Sequence, residues 1–364
     1  MFFIPVIAVG CFYIGYRTYS TTLIYSFVKS IYQWRSKVYK VDSELGYVHI
    51  PNSRGAYSLT IGPSIPMHHD KDGFRIPVED NCPFEALHPV ILSLGCSFTY
   101  GDGICAEDTY SQLVAKYLGG KVKNAGVNGY GLSQMLILSR KLIPIHKPDY
   151  LIVQYSPWLA NRSRHFFEPS FFGKIPTPYF SKEKNQIVLQ PPIFQSIVQD
   201  LPIDSYRNNP PTLIDFISFL LNVGLPLFIH DDVNIVHYRV KRFLGLIAEP
   251  VKDSDEIIKY GYDEISNIAK KNGAKLIIVV LANNDNEIQV PKHLLTSDAV
   301  IVNAHNALLK HLSVLDKENY YRSYLLWRGD PPVIVNLHPN EKANRIIAEE
   351  IIQAIKNIKI QTKH

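Results

Sequence analysis

The run Val90-Ile91-Leu92-Ser93-Leu94 stops at Gly95 and passes directly into Cys96-Ser97-Phe98-Thr99-Tyr100-Gly101. A short apolar run broken by glycine and leading into a helix reads as a buried strand of an α/β sheet. The bracketing glycines allow a tight strand-to-helix turn and close approach by another group. Ser97 is then presented at the carboxyl end of a strand, where open α/β sheets hold their ligands. The same alternation continues along the chain. Strands are predicted at Lys121–Asn124, Asp149–Tyr155, Lys275–Leu281 and Ala299–Asn303. Between and after them, Tyr110, Leu113, Val114, Tyr117 and Leu118 share one helical face. Ala343, Ile347, Ile351, Ala354 and Ile358 form a stripe on a C-terminal helix. Alternation of this kind predicts a parallel sheet with helices on both faces.

At 364 residues the chain holds one large α/β domain with additions, or two domains. Apolar residues make up 46% and charged residues 20%, which suits a sizeable core. A net charge of +5 without a dense Lys/Arg stripe argues against a nucleic-acid partner. The cysteines Cys11, Cys82, Cys96 and Cys105 lack metal-ligand spacing. Cys82 and Cys105 could pair, although free buried thiols are the expectation. His68-His69-Asp70 has no third ligand spaced to match, so it reads as a solvated turn, and no metal or other cofactor is expected.

Residues 1–16 carry no charged side chain, and Arg17 ends that run. The run is short for a spanning helix, and it lacks the basic start and small-residue cleavage site of a signal peptide. Residues 1–40 are therefore expected to anchor the chain at a membrane or lie on its surface, with a helix packed on the domain or a partner as the alternative. The basic residues that follow would leave the remainder cytoplasmic if the segment spans. Residues 41–84, rich in Pro and Gly, read as a lead-in module, with Asp70–Arg75 as a turn closing into a strand. The alternation fails over about residues 158–255, where eight prolines lie between Pro176 and Pro226. That stretch is expected to be a lid or substrate-binding cap on a domain spanning 85–364.

Three blocks carry a resemblance. Gly95-Cys96-Ser97-Phe98-Thr99-Tyr100-Gly101 resembles the Gly-Asp-Ser-Phe-Thr-x-Gly block of the SGNH/GDSL hydrolases. Asn124-Ala125-Gly126-Val127-Asn128-Gly129 resembles their second block, and His338-Pro339-Asn340 resembles their C-terminal Asp-x-x-His-Pro-Asn. The resemblance covers about residues 85–155 and 255–360. It implies a three-layer α/β/α fold with a parallel, flavodoxin-like sheet, Ser97 as nucleophile and His338 as base. It also implies backbone N–H groups of Ser97 and Gly129 as oxyanion donors.

The departures are specific. Cys96 replaces the block I aspartate, and Val335 stands where the triad aspartate belongs, leaving Asp330 as the nearest upstream candidate acid. Trp158 occupies the slot of the third block's oxyanion asparagine, with Asn161 one helical turn late. The function implied is hydrolysis of an ester, such as an O-acetyl group on a glycan, through a Ser97 acyl-enzyme. The alternatives are acyl transfer to a sugar hydroxyl, or an inactive scaffold that binds glycan or lipid in a membrane assembly. The expected partner is a small-molecule or glycan ester, and the sequence leaves the oligomeric state open.

Overall fold

The computed structural model describes residues 38–57, 59, 61–79, 88–165, 177–192, 244–245, 248–295 and 298–361. Its centre is an eight-stranded sheet. Five strands run parallel: β6 (Val90–Leu94), β7 (Lys121–Asn124), β8 (Tyr150–Tyr155), β11 (Lys275–Val280) and β12 (Val300–Val302). Across the sheet they lie in the order β12-β11-β8-β6-β7. Counted along the chain, this is the 2-1-3-4-5 order of flavodoxin-like sheets, as expected. The chain starts at β6, steps to β7 on one side, then crosses to β8 on the other. The gap beyond the carboxyl ends of β6 and β8 is therefore the topological switch point.

Strands in the middle of such a sheet are covered on both faces and read as unbroken apolar runs. Ile91, Leu92, Leu94, Leu151, Ile152, Val153, Ile277 and Val279 are accordingly buried. One face is covered by α3 (Leu132–His146) packed on α5 (Ser254–Lys271). The other carries α2 (Tyr110–Leu118) and α9 (Glu341–Gln361), the latter also packed on α7 (Ala304–Lys310). Two short helices, α1 (Ser97–Tyr100) and α4 (Pro157–Arg162), begin directly beyond β6 and β8. Of the C-terminal stripe, Ala343, Ile347 and Ile351 are buried, joined by Ile355.

The stretch read as a lead-in module is part of the sheet itself. β3 (Arg54–Tyr57), β4 (Ile65–His69) and β5 (Arg75–Ile76) extend it antiparallel from β7, while β1 (Tyr39–Asp42) and β2 (Gly46–His49) form a hairpin beside them. The expected turn at Asp70–Arg75 is present, with Asp70 Oδ1 accepting from the N–H groups of Asp72 and Phe74, both at 2.9 Å. His68 and His69, however, lie in β4 rather than in a solvated turn. The His69 ring is fully buried, bonded through Nδ1 to Ser53 Oγ at 2.8 Å and through Nε2 to Tyr100 hydroxyl at 3.2 Å. Alternation along β4 explains it: Ile65, Met67 and His69 point inward together. A second apolar core joins Tyr39, Tyr47, Tyr57 and Met67 of these N-terminal strands to Tyr100, Val127 and Tyr130 of the sheet's carboxyl edge.

Cys96 and Cys105 are free thiols, while Cys11 and Cys82 lie outside the described residues. Most of the cap expected at 158–255 also lies outside them; its described part includes the hairpin β9 (Tyr179–Glu183) and β10 (Gln186–Gln190). The anchor expected at residues 1–40 lies outside them up to residue 37. Among the described residues no helix is long and apolar enough to cross a membrane. Two strands complete the fold, β13 (Leu325–Arg328) and β14 (Val333–Pro339), a separate hairpin before α9.

Candidate active site

Ser97 is the first residue of α1, immediately past the end of β6. The turn before it is held by β8: Gln154 Oε1 accepts from Cys96 N–H at 3.0 Å and from the Thr99 hydroxyl at 2.9 Å. Gly95 must be glycine, because a Cβ there would lie 1.9 Å from Thr99 Oγ1 and 2.6 Å from Gln154 Oε1. As the first residue of a helix, Ser97 offers a backbone N–H with no intrahelical acceptor. The residue is 6% exposed.

The second block runs alongside this turn. Ala125 N–H bonds to Ser93 O at 2.9 Å and Val127 N–H to Gly95 O at 3.2 Å, so the loop continues the β7 register past the strand. Gly126 passes so close to α1 that a Cβ would stand 2.3 Å from the Tyr100 backbone nitrogen. Gly129 follows in a buried turn with φ +80°, a conformation that favours glycine.

His338 reaches Ser97 from the opposite end of the chain. In the β13–β14 hairpin, Leu325 pairs with Pro339 and Leu326 with Asn336, so Leu337 and His338 form a bulge. Bulges re-aim side chains near functional sites, and this one turns the imidazole toward α1. His338 Nε2 lies 2.7 Å from Ser97 Oγ, across a sequence separation of 241 residues. The ring also meets the Phe98 ring edge to face at 5.3 Å. Asn340 secures the segment beyond it, donating to Ser323 O and Leu325 O, both at 3.0 Å. It also caps α9 through the Ala343 N–H at 2.9 Å.

Two residues that sequence reasoning missed face the other imidazole nitrogen. Asn336 Oδ1 accepts from the His338 backbone N–H at 3.0 Å and makes a short contact with Nδ1. Asp102 Oδ2 lies 3.8 Å from Nδ1, with its side chain 3% exposed. The only signal for Asp102 was its place inside Gly101-Asp102-Gly103, directly after the nucleophile helix; Asn336 carried none, because its role depends on the bulge.

Asp330, the candidate acid, does not come to the site. It is exposed in the turn of the β13–β14 hairpin, and the strand from Val333 to His338 alone spans roughly 16 Å at the rise of an extended chain. Asn161 is exposed on α4, and the residue of that helix facing the nucleophile turn is Trp158, whose ring packs on Phe98 at 5.3 Å. Trp158 Nε1 and both amide atoms of Asn128 are buried without a hydrogen-bond partner. Buried polar atoms of native proteins are ordinarily satisfied. Trp158 stands in the first turn of α4 just after β8, and Asn128 in the loop after β7, the strands flanking β6. Among the described residues there is no cluster of side chains suited to a metal ion.

No known family profile matches the chain, and neither does any curated protein. Solved structures do overlap with it. TesA covers 74% of this chain with 98% of its own length, at 13% identity and a TM-score of 0.34. The psychrotrophic esterase EstA from Pseudoalteromonas sp. covers 74% with 97% of its own, at 12% and 0.34. Axe2, an acetyl-xylooligosaccharide esterase from Geobacillus, covers 74% with 94%, at 10% and 0.36. Scores and identities at this level leave the chemical case to the residues themselves. It is to the GDSL/SGNH-type hydrolases that this chain is similar.

Proposed function

We propose that the chain is a serine ester hydrolase of the SGNH type, acting through an acyl-enzyme on Ser97. The observation that carries this reading is the 2.7 Å contact between Ser97 Oγ and His338 Nε2 at the switch point of the sheet. A serine hydroxyl is a weak nucleophile until an adjacent base takes its proton. Here the Nδ1 contact with Asn336 leaves Nε2 free to act as that base. As Ser97 Oγ bonds to the acyl carbon, its proton passes to Nε2; the imidazolium then returns it to the departing alcohol oxygen as the ester C–O bond breaks. Water repeats the sequence to release the acid.

The oxyanion would be met by the N–H groups of Ser97 and Gly129. Each donor of this kind is typically worth about 10²–10³ in rate. Trp158 Nε1 on α4 and Asn128 Nδ2 on the loop after β7 are side-chain donors without partners, and either would replace the asparagine missing from the third block. Asn161, exposed, is the weaker choice. Phe98 and Trp158, packed ring on ring beside Ser97, would flank the acyl group, which we take to be acetate on a glycan hydroxyl.

The test is p-nitrophenyl acetate hydrolysis and fluorophosphonate labelling by the full chain, beside Ser97→Ala and His338→Ala. Turnover and labelling lost in both variants support the hydrolase. Equal background signals from three folded proteins refute it and leave a binding scaffold as the better reading.

A further inference from the structure

We propose that Asp102, from the loop just after the nucleophile, supplies the negative charge for His338, while Asn336 supplies only the hydrogen bond. This rests on the reading of Ser97 and His338 as nucleophile and base. The work that one aspartate three residues before the histidine does in the resembling family is here divided between two residues.

The Asn336 side chain has its orientation fixed by chemistry. The atom that accepts from the His338 backbone N–H must be the carbonyl oxygen. The same oxygen faces Nδ1, so Nδ1 carries the proton and Nε2 is the open base. A neutral amide sets this tautomer but cannot offset the charge that appears when the imidazole takes the proton of Ser97. Asp102 can. Its Oδ2 is 3.8 Å from Nδ1, an ion-pair distance, and water is nearly excluded from it. Attraction between charges at that distance grows as the surroundings lose water.

The carboxylate is held there by its loop. Asp102 N–H bonds to Ser97 O at 3.0 Å, and Gly101 and Gly103 flank it with φ +80° and +87°. Gly103 packs against the bulged hairpin so closely that a Cβ would lie 2.3 Å from Leu326 Cδ1 and 3.1 Å from Asn336 Nδ2. On the other side the buried Arg75 guanidinium donates to the carbonyls of Tyr100, Gly101 and Ile104. The nucleophile, the acid and the base's support are thus mated across one interface. Other charges on the elements packed here include Arg75 on β5, Glu107 and Asp108 just past the loop, Lys342 and Arg345 on α9, and Arg328 on β13 with Glu341 on α9, these last two paired at 3.7 Å. In the step itself Asp102 stays ionised, the Nδ1 proton stays on nitrogen, and only the Ser97 proton moves.

Asp102 acts through His338 and is a positioning residue, so the test reads the histidine directly. In full-length Ser97→Ala protein, the His338 ring is followed through its pH titration by NMR, identified by its absence in His338→Gln. Adding Asp102→Asn is expected to lower the midpoint by about one unit or more, the effect of removing an opposite charge at this range. Asp102→Ser, neutral and smaller, gives the same reading if the amide is not accommodated. In the Ser97 background Asp102→Asn is expected to cut kcat/KM by roughly 10²–10⁴ through kcat. Asn336→Asp, added to it, should recover most of that loss by placing a carboxylate directly at Nδ1. An unchanged His338 midpoint on loss of the Asp102 charge overturns the proposal. If Ser97→Ala keeps full turnover, the hydrolase reading fails instead, and the titration still decides whether Asp102 acts on His338.

Discussion

Acid should dismantle this protein through His69. Burial, followed by the nearby charges of Arg75, Arg54 and His68, holds its pKa down from 6.5 to about 3. The folded protein therefore keeps the ring neutral, accepting or donating between Ser53 and Tyr100 with the His49 ring stacked on it at 4.1 Å. A histidine whose pKa is depressed on folding contributes stability above its unfolded pKa and loses it as pH falls toward the folded value. The window here runs from about pH 6.5 down to about pH 3. Linkage over that interval gives a loss of about 2 kcal/mol at pH 5 and about 3 kcal/mol at pH 4, relative to neutral pH. Because Tyr100 belongs to α1, the nucleophile turn should be disturbed along with the strands. Urea denaturation of the full chain at pH 7, 6, 5 and 4, beside His69→Gln, isolates this contribution, since glutamine does not titrate. The variant starts less stable at pH 7, but its stability should fall less steeply by about those amounts. Parallel pH dependences in the two proteins would refute the assignment.

Other substitutions test the close contacts of the site. Gly126→Ala drives a methyl into the Tyr100 backbone nitrogen at 2.3 Å, and is expected to cost about 1–3 kcal/mol in urea denaturation and to abolish fluorophosphonate labelling of Ser97. Gln154→Leu leaves the buried Cys96 N–H without its acceptor, for a loss of about 1–3 kcal/mol; a variant as stable as the parent would show that β8 does not hold the nucleophile turn. Trp158→Phe removes a buried N–H that has no partner, so kcat for p-nitrophenyl acetate should fall by about 10² if that N–H meets the oxyanion, and an unchanged kcat would show that it does not.

The sequence by itself determined the elements whose signals are local. The run Val90–Leu94 broken at Gly95 specifies a buried strand and a tight turn, because periodicity and backbone freedom are properties of neighbouring residues. The alternation of strand and helix likewise pointed to a parallel sheet. Where side chains meet across the fold, the sequence was silent or misleading. His68 and His69 look like a solvated turn until β4 pairs into the sheet and its alternation turns His69 inward. Asp330 is the nearest carboxylate upstream of His338 but lies in the turn of a hairpin, and the strand from Val333 to His338 carries it away. Asp102 and Asn336 reach the imidazole only because a bulge in β14 and a glycine-flanked loop after α1 pack against each other. Their proximity is a product of tertiary packing, which no spacing along the chain records.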